Sequence, residues 1–145
     1  MQKLNEFRMV IDSKSVNESF ARTTVATFVS QLDPTLDEIS DIKMAVSEAV
    51  TNCIVHAYPE RVGKIYITAA ILENSTVKIV VRDKGCGIID IKQAMEPLFT
   101  TLGGERAGLG FAVMESFTDK ITVRSKPDKG TTVTMYKRIN GRAVL

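Results

Sequence analysis

The chain has no tryptophan, one histidine and two cysteines among its 145 residues. With a single histidine, and with Cys53 and Cys86 outside any Cys-x-x-Cys pair, no zinc framework can be assembled. Two unpaired thiols fit a reducing compartment. No apolar stretch reaches the roughly 18 residues a spanning helix needs, and no signal peptide opens the chain, so a cytoplasmic protein without a membrane partner is expected. A dominant charge is missing too. Lysine and arginine number 19 against 17 acidic residues, and a net charge of +2 is too small to imply direct nucleic-acid binding. The basic Lys137, Arg138 and Arg142 read as a solvated tail.

What is present is ordinary in bulk: 44% hydrophobic and 25% charged residues, with no repeat or low-complexity linker. One domain over residues 1–145 is expected, long enough to bury a core without staples. Phe7, Met9 and Ile11 alternate with polar neighbours, as in a half-buried strand. Ser15 with Glu18 has the form of a capping box, opening a helix to about Leu32 with Phe20, Thr24, Phe28 and Leu32 on its buried face. Asp33-Pro34 breaks the chain. Thr35 with Glu38 forms a second capping box, followed by a long helix whose apolar side is Leu36, Ile39, Ile42, Val46, Ala49, Val50 and Cys53. Pro59 ends that helix near Tyr58.

Then the period changes to that of strands. Lys64–Leu72 and Thr76–Val81 read as a hairpin through Glu73, Asn74 and Ser75. A loop at 83–87, a short helix around Ile89 to Met95 and an irregular stretch to Ala107 follow. A helix is expected from Gly108 to near Asp119, then strands at Lys120–Ser125 and Thr131–Arg138. The order β-α-α-β-β-α-α-β-β predicts an α+β two-layer sandwich, with helices on one face of a mixed, mostly antiparallel sheet.

The residues with chemistry sit in three places. Glu48 and Asn52 are spaced i, i+4, which stacks them on one helix face, and His56 continues the series. A solvent-facing polar stripe is the plain explanation, but the flanking Ala45, Val46, Ala49, Val50, Cys53 and Ile54 leave it only a narrow edge. Polar groups on a half-buried helix are costly unless each has a partner. An amide oxygen suits magnesium and a carboxylate suits a proton-accepting base. His56 reads as a structural histidine at a helix end.

Asp83-x-Gly85-x-Gly87 follows a strand. A turn explains it, since Asp and Gly favour turns. Equally, Asp83 can accept from an exocyclic amine while Gly85 and Gly87 admit a flat ring to the backbone. Gly108-Leu109-Gly110 lacks the third glycine and the preceding strand of a dinucleotide fingerprint, and no Gly-x-x-x-x-Gly-Lys-Ser/Thr loop occurs. Flexible glycines opening a helix account for it alone. A helix N-terminus with two glycines also suits polyphosphate, and Arg106 adds a phosphate-matching fork.

Glu48-x-x-x-Asn52, Asp83-x-Gly85-x-Gly87 and Gly108-x-Gly110, in this order, resemble the N, G1 and G2 boxes of the GHKL ATPase superfamily, which has a Bergerat-type ATP-binding fold. The resemblance covers nearly the whole chain and is greatest to the small bacterial anti-sigma-factor serine kinases, in particular their sporulation group. Glu-Ala-Val-Thr-Asn (48–52) with His-Ala-Tyr (56–58), Asn17 to Arg22, Gln31 to Pro34, Pro97 to Thr101 and Gly130 to Val133 carry it. The resemblance implies ATP and Mg2+ as cofactors. It implies Asn52 on the metal, Asp83 on the adenine amine with Thr131 supporting it through water, and Glu48 as base on a substrate serine. A lid from about Lys84 to Ala107 would bring Thr100, Thr101 and Arg106 over the phosphates. Gly103 and Gly104 stand where a charged residue is expected, so the lid contacts to the γ-phosphate are left open.

The implied partners are an RNA polymerase sigma factor, an anti-anti-sigma protein carrying the serine, and a second copy in a homodimer. Arg22 would lie on the surface the first two share. Three other readings compete: a general stress-response kinase of the same kind, a non-catalytic ATP-switched binding protein, and the catalytic domain of a two-component histidine kinase. The last is disfavoured because no histidine precedes residue 35.

Overall fold

The computed structural model describes residues 2–88, 95 and 110–141. Strand β1 (Lys3–Asp12) leads into helix α1 (Val16–Val29), which tightens into a 3-10 turn at Ser30–Leu32. Helix α2 (Leu36–Asn52) runs on into a single π-turn at Cys53–Ala57. Strands β2 (Lys64–Leu72) and β3 (Thr76–Asp83) form the hairpin, helix α3 is Phe111–Ser116, and β4 (Lys120–Lys126) pairs with β5 (Gly130–Arg138). The sheet order is β1-β2-β3-β5-β4. All four pairings are antiparallel, the limiting case of the expected mostly antiparallel sheet.

Alternation along the strands separates the two faces. Ile65, Ile67, Ala69, Val77, Ile79, Val81, Val133 and Met135 are buried in one core with Val25, Val29, Ile42, Val46 and Val50 from the helices. The opposite face carries Tyr66, Arg82, Lys78 and Tyr136, with Arg82 stacked 4.7 Å above the Tyr66 ring centroid. This is the two-layer arrangement expected, with the described helices on one side of the sheet.

The two capping boxes fare differently. Thr35 accepts from Glu38 N at 3.1 Å while Glu38 Oε1 accepts from Thr35 N at 2.9 Å, a complete reciprocal cap. Glu38 also accepts from Asn140 N and Gly141 N, at 2.7 and 3.1 Å, and so ties the start of α2 to the segment after β5. Ser15 forms no such cap. Its backbone is already helical, and the Glu18 carboxylate is drawn away to Arg22 at 3.4 Å and Thr51 at 2.8 Å.

The buried face of α1 is also rotated by one residue from expectation. Ala21, Val25, Ala26 and Val29 face inward, and Phe20 is 55% exposed. A small residue at 21 lets α1 lie close along α2, which outweighs the larger apolar area of Phe20. Phe28 instead meets Phe7 of β1 edge to face, with centroids 4.8 Å apart. On α2, Leu36 at the first turn is 81% exposed, while Ile42, Val46, Ala49, Val50 and Cys53 are buried as expected. Helix α3 begins at Phe111 rather than Gly108 and stops at Ser116. The short helix expected around Ile89 to Met95 lies outside the described residues.

Burial alone would raise the Glu38 carboxyl, but the N–H donors of Thr35, Asn140 and Gly141 outweigh it and hold the group below its ordinary value. A lowered folded-state value means that this stability is present above the ordinary carboxylate range and drains as pH falls through it. Glu38→Gln is therefore expected to flatten the acid limb of a stability–pH curve measured by urea unfolding. In the same assay Thr35→Ala is expected to cost about 1 kcal/mol.

Candidate nucleotide site

The C-terminal half of α2 runs between two glycine-rich segments and touches both. At one end, Gly110 sits at φ 74°, and a Cβ built there would run into the Glu48 carboxylate. Glycine is favoured at this position by its backbone angle, and without a side chain there the Glu48 carboxylate can rest against it. Helix α3, anchored by buried Phe111 and Met114, packs against α2 and fixes that contact.

At the other end stands Asp83, the last residue of β3 and 6% exposed. Its Oδ1 accepts from Gly85 N at 2.9 Å and from Thr131 N at 3.1 Å. Its Oδ2 accepts from Cys53 Sγ at 3.6 Å. Burial pushes the Asp83 carboxyl up from its ordinary value, and these three donors only partly offset that. The surrounding glycines make the packing possible. A Cβ on Gly85 would strike the Ala57 carbonyl, and one on Gly130, at φ 96°, would strike the carbonyl of Asp83 itself. Gly87, at φ 74°, lies as closely against the Lys126 carbonyl.

Between the two ends lies Asn52, whose Nδ2 is buried without a partner among the described residues. Such a group costs about 1–3 kcal/mol unless something satisfies it. No cluster of three His, Cys, Asp or Glu side chains occurs among the described residues. A magnesium ion takes one or two protein oxygens together with substrate phosphates and water, so a lone amide here fits that ion and not a cage-bound metal. His56 falls in the π-turn, where its carbonyl accepts from Cys86 Sγ at 3.0 Å.

Two residues beyond the sequence-derived set complete the site. Ser125 accepts from Ile88 N at 2.8 Å, donates to the Gly130 carbonyl at 3.0 Å and shares a 2.8 Å hydrogen bond with the Thr131 hydroxyl. It pins the segment after Gly87 to the β4–β5 turn. Thr131 therefore supports Asp83 directly through its backbone N–H, and its hydroxyl is engaged with Ser125. Cys53 is the second. A β4 serine and a core cysteine carry no motif, so only their tertiary contacts reveal them. Of the expected residues, Thr100, Thr101, Arg106, Gly108 and Leu109 lie outside the described residues. Arg22, on α1, is half-buried and pairs with Glu18, which links it through Thr51 to α2.

Residues 12–137 match the histidine kinase-like ATPase domain family. The chain is 57% identical over 140 residues to an anti-sigma F factor of Caldanaerobacter subterraneus, covering 96% of this chain and 97% of that one. It is 49% identical over 138 residues to the anti-sigma F factor of Bacillus subtilis, with 94% of each chain covered. Among solved structures, the RsbU and RsbW domains of a Mycobacterium tuberculosis protein align with a TM-score of 0.70 at 21% identity, over 97% of this chain and 35% of that one. That last likeness speaks to fold alone. An ATP-binding domain of kinase-like fold is thus defined. Within it, the chain belongs to the anti-sigma F factor family.

Gly110→Ala is expected to destabilise the protein by about 1–2 kcal/mol from the left-handed backbone angle, while the tip of the Glu48 side chain swings aside. Urea unfolding measures it. A Gly110→Ala variant as stable as the parent would contradict the left-handed angle at Gly110.

Proposed function

We propose that the chain is a cytoplasmic Mg-ATP-dependent serine protein kinase that sequesters a sporulation sigma factor and phosphorylates, and so inactivates, the anti-anti-sigma protein opposing it. The observation that carries this reading is the placement along α2. Glu48 meets Gly110 and Cys53 meets Asp83, five residues or about 7.5 Å further along the helix axis, with the orphaned Asn52 amide between them. That order, an adenine end, a metal ligand and a phosphate end, suits a nucleoside triphosphate laid against the helix.

On this reading Asp83 accepts from the adenine amine, and Gly85 and Gly87 let the ring approach. Asn52 holds magnesium, which would neutralise charge on the phosphates. Glu48 accepts the proton of the substrate serine as its oxygen attacks the γ-phosphorus and the bond to ADP breaks. Phosphoryl transfer otherwise depends on positioning and charge neutralisation. The phosphate end is completed by Gly108, Leu109, Thr100, Thr101 and Arg106 on the strength of the family resemblance.

Partner binding is supported by the outer face of α1. Val16 is 74% and Phe20 55% exposed, one turn apart, and β1 is an edge strand. Apolar side chains in a row on an exposed helix suit a protein interface. We assign the homodimer contact to this apolar row and the shared sigma and anti-anti-sigma contact to Arg22.

Glu48→Gln is expected to retain ATP binding and sigma-factor binding while losing ~10²–10⁴ in phosphotransfer rate. Transfer of 32P from labelled ATP to an anti-anti-sigma protein measures it, and undiminished transfer removes the base assignment. Phe20→Asp is expected to shift the protein from dimer to monomer in light scattering, with ATP affinity unchanged. A dimer that survives the substitution places the contact elsewhere.

A further inference from the structure

We infer that Cys53 is a positioning residue for purine recognition: its thiol holds Asp83 Oδ2 so that this oxygen's remaining lone pair is turned to the exocyclic amine of ATP. The inference rests on the assignment of Asp83 to the adenine. Oδ1 of Asp83 already accepts from two backbone N–H groups, Gly85 and Thr131. Recognition of a ligand donor therefore falls to Oδ2. A carboxylate oxygen accepts about two hydrogen bonds. Cys53 Sγ supplies one at 3.6 Å, leaving one for the ligand.

The thiol is well placed to do this without competing for the base. Cys53 is 3% exposed and packed into the main core, so its rotamer is set by the packing around it. It opens the π-turn, in which Tyr58 N donates to the Cys53 carbonyl at 3.0 Å across five residues. That wider turn carries the backbone past Asp83 before Pro59 ends it. π-turns inside α-helices recur at functional sites. A thiol also matches both neighbours, with an apolar body toward the core and a weak donor toward the carboxylate. A methyl group in its place would leave the inner lone pair of Oδ2 unpaired and the carboxylate less constrained in rotation.

Calorimetric titration of the full chain with ATP and with purine riboside triphosphate, which lacks the exocyclic amine, tests this. Cys53→Ala is expected to weaken ATP about three- to tenfold and leave the amine-free nucleotide unchanged, and Cys53→Ser is expected to keep most of the preference. In a Cys86→Ser background, the infrared S–H stretch of Cys53 is expected to move when ATP binds and to stay when the amine-free nucleotide binds. Equal losses for both nucleotides, or an S–H band indifferent to ATP, would reduce Cys53 to a packing residue. Asp83→Asn separates the two layers of the argument. If that variant still prefers ATP over the amine-free nucleotide, the adenine assignment fails and the role of Cys53 falls with it. If the preference is lost there but intact in Cys53→Ala, only the positioning role fails.

Discussion

A carboxylate buried at the end of a central strand has to be satisfied by its surroundings, and Asp83 is satisfied from three directions. Gly85 donates from the segment just after β3, Thr131 from the start of β5, and Cys53 from the end of α2. The three donors belong to different parts of the fold, so the carboxylate fixes their relative positions. Strands β3 and β5 meet closely enough there that Gly130 must lack a side chain. The same approach puts Thr131 beside Ser125, which in turn holds Ile88. One buried charge thus organises the whole edge of the site. Its cost shows in the direction of its proton affinity, which burial raises despite three donors.

Helix α2 carries the other half of the arrangement by dividing its circumference. One side buries Ile42, Val46, Ala49 and Val50 against the sheet. The adjoining edge keeps Glu48 and Asn52, neither fully exposed nor paired within the described chain as a core polar group would be. An amide left with an unmet N–H donor is a small stability deficit, and on the proposed reading a phosphate oxygen of the ligand accepts from it while the amide oxygen faces the metal. Binding energy and folding energy are then linked through the same atoms, so saturating nucleotide should raise the stability of the folded state.

Much of this could be read in the sequence because it depends on local rules. The Thr35–Glu38 cap, the break at Pro59, both hairpins and the Asp83 glycine segment are set by neighbours within a few residues. The phase of α1 was not readable in this way. Phe20 and Phe28 outweigh Ala21 in any count of apolar area, yet the closeness of α2 selects the small residue, and that distance is a tertiary quantity. Ser15 shows the same limit, since Glu18 has a better partner in Thr51 of another helix. Cys53 read as one more apolar residue on α2. Only the fold brings its sulfur to Asp83, 30 residues away.

The central claim is that one ATP lies along the edge of α2 from Asp83 to Gly110. A crystal structure of the protein with a non-hydrolysable ATP analogue and magnesium tests it most directly. The account predicts the adenine amine on Asp83 Oδ2, the metal on Asn52 and the γ-phosphate on the Glu48–Gly110 side. An analogue bound in the reverse sense, or at a distance from Asp83, would contradict it.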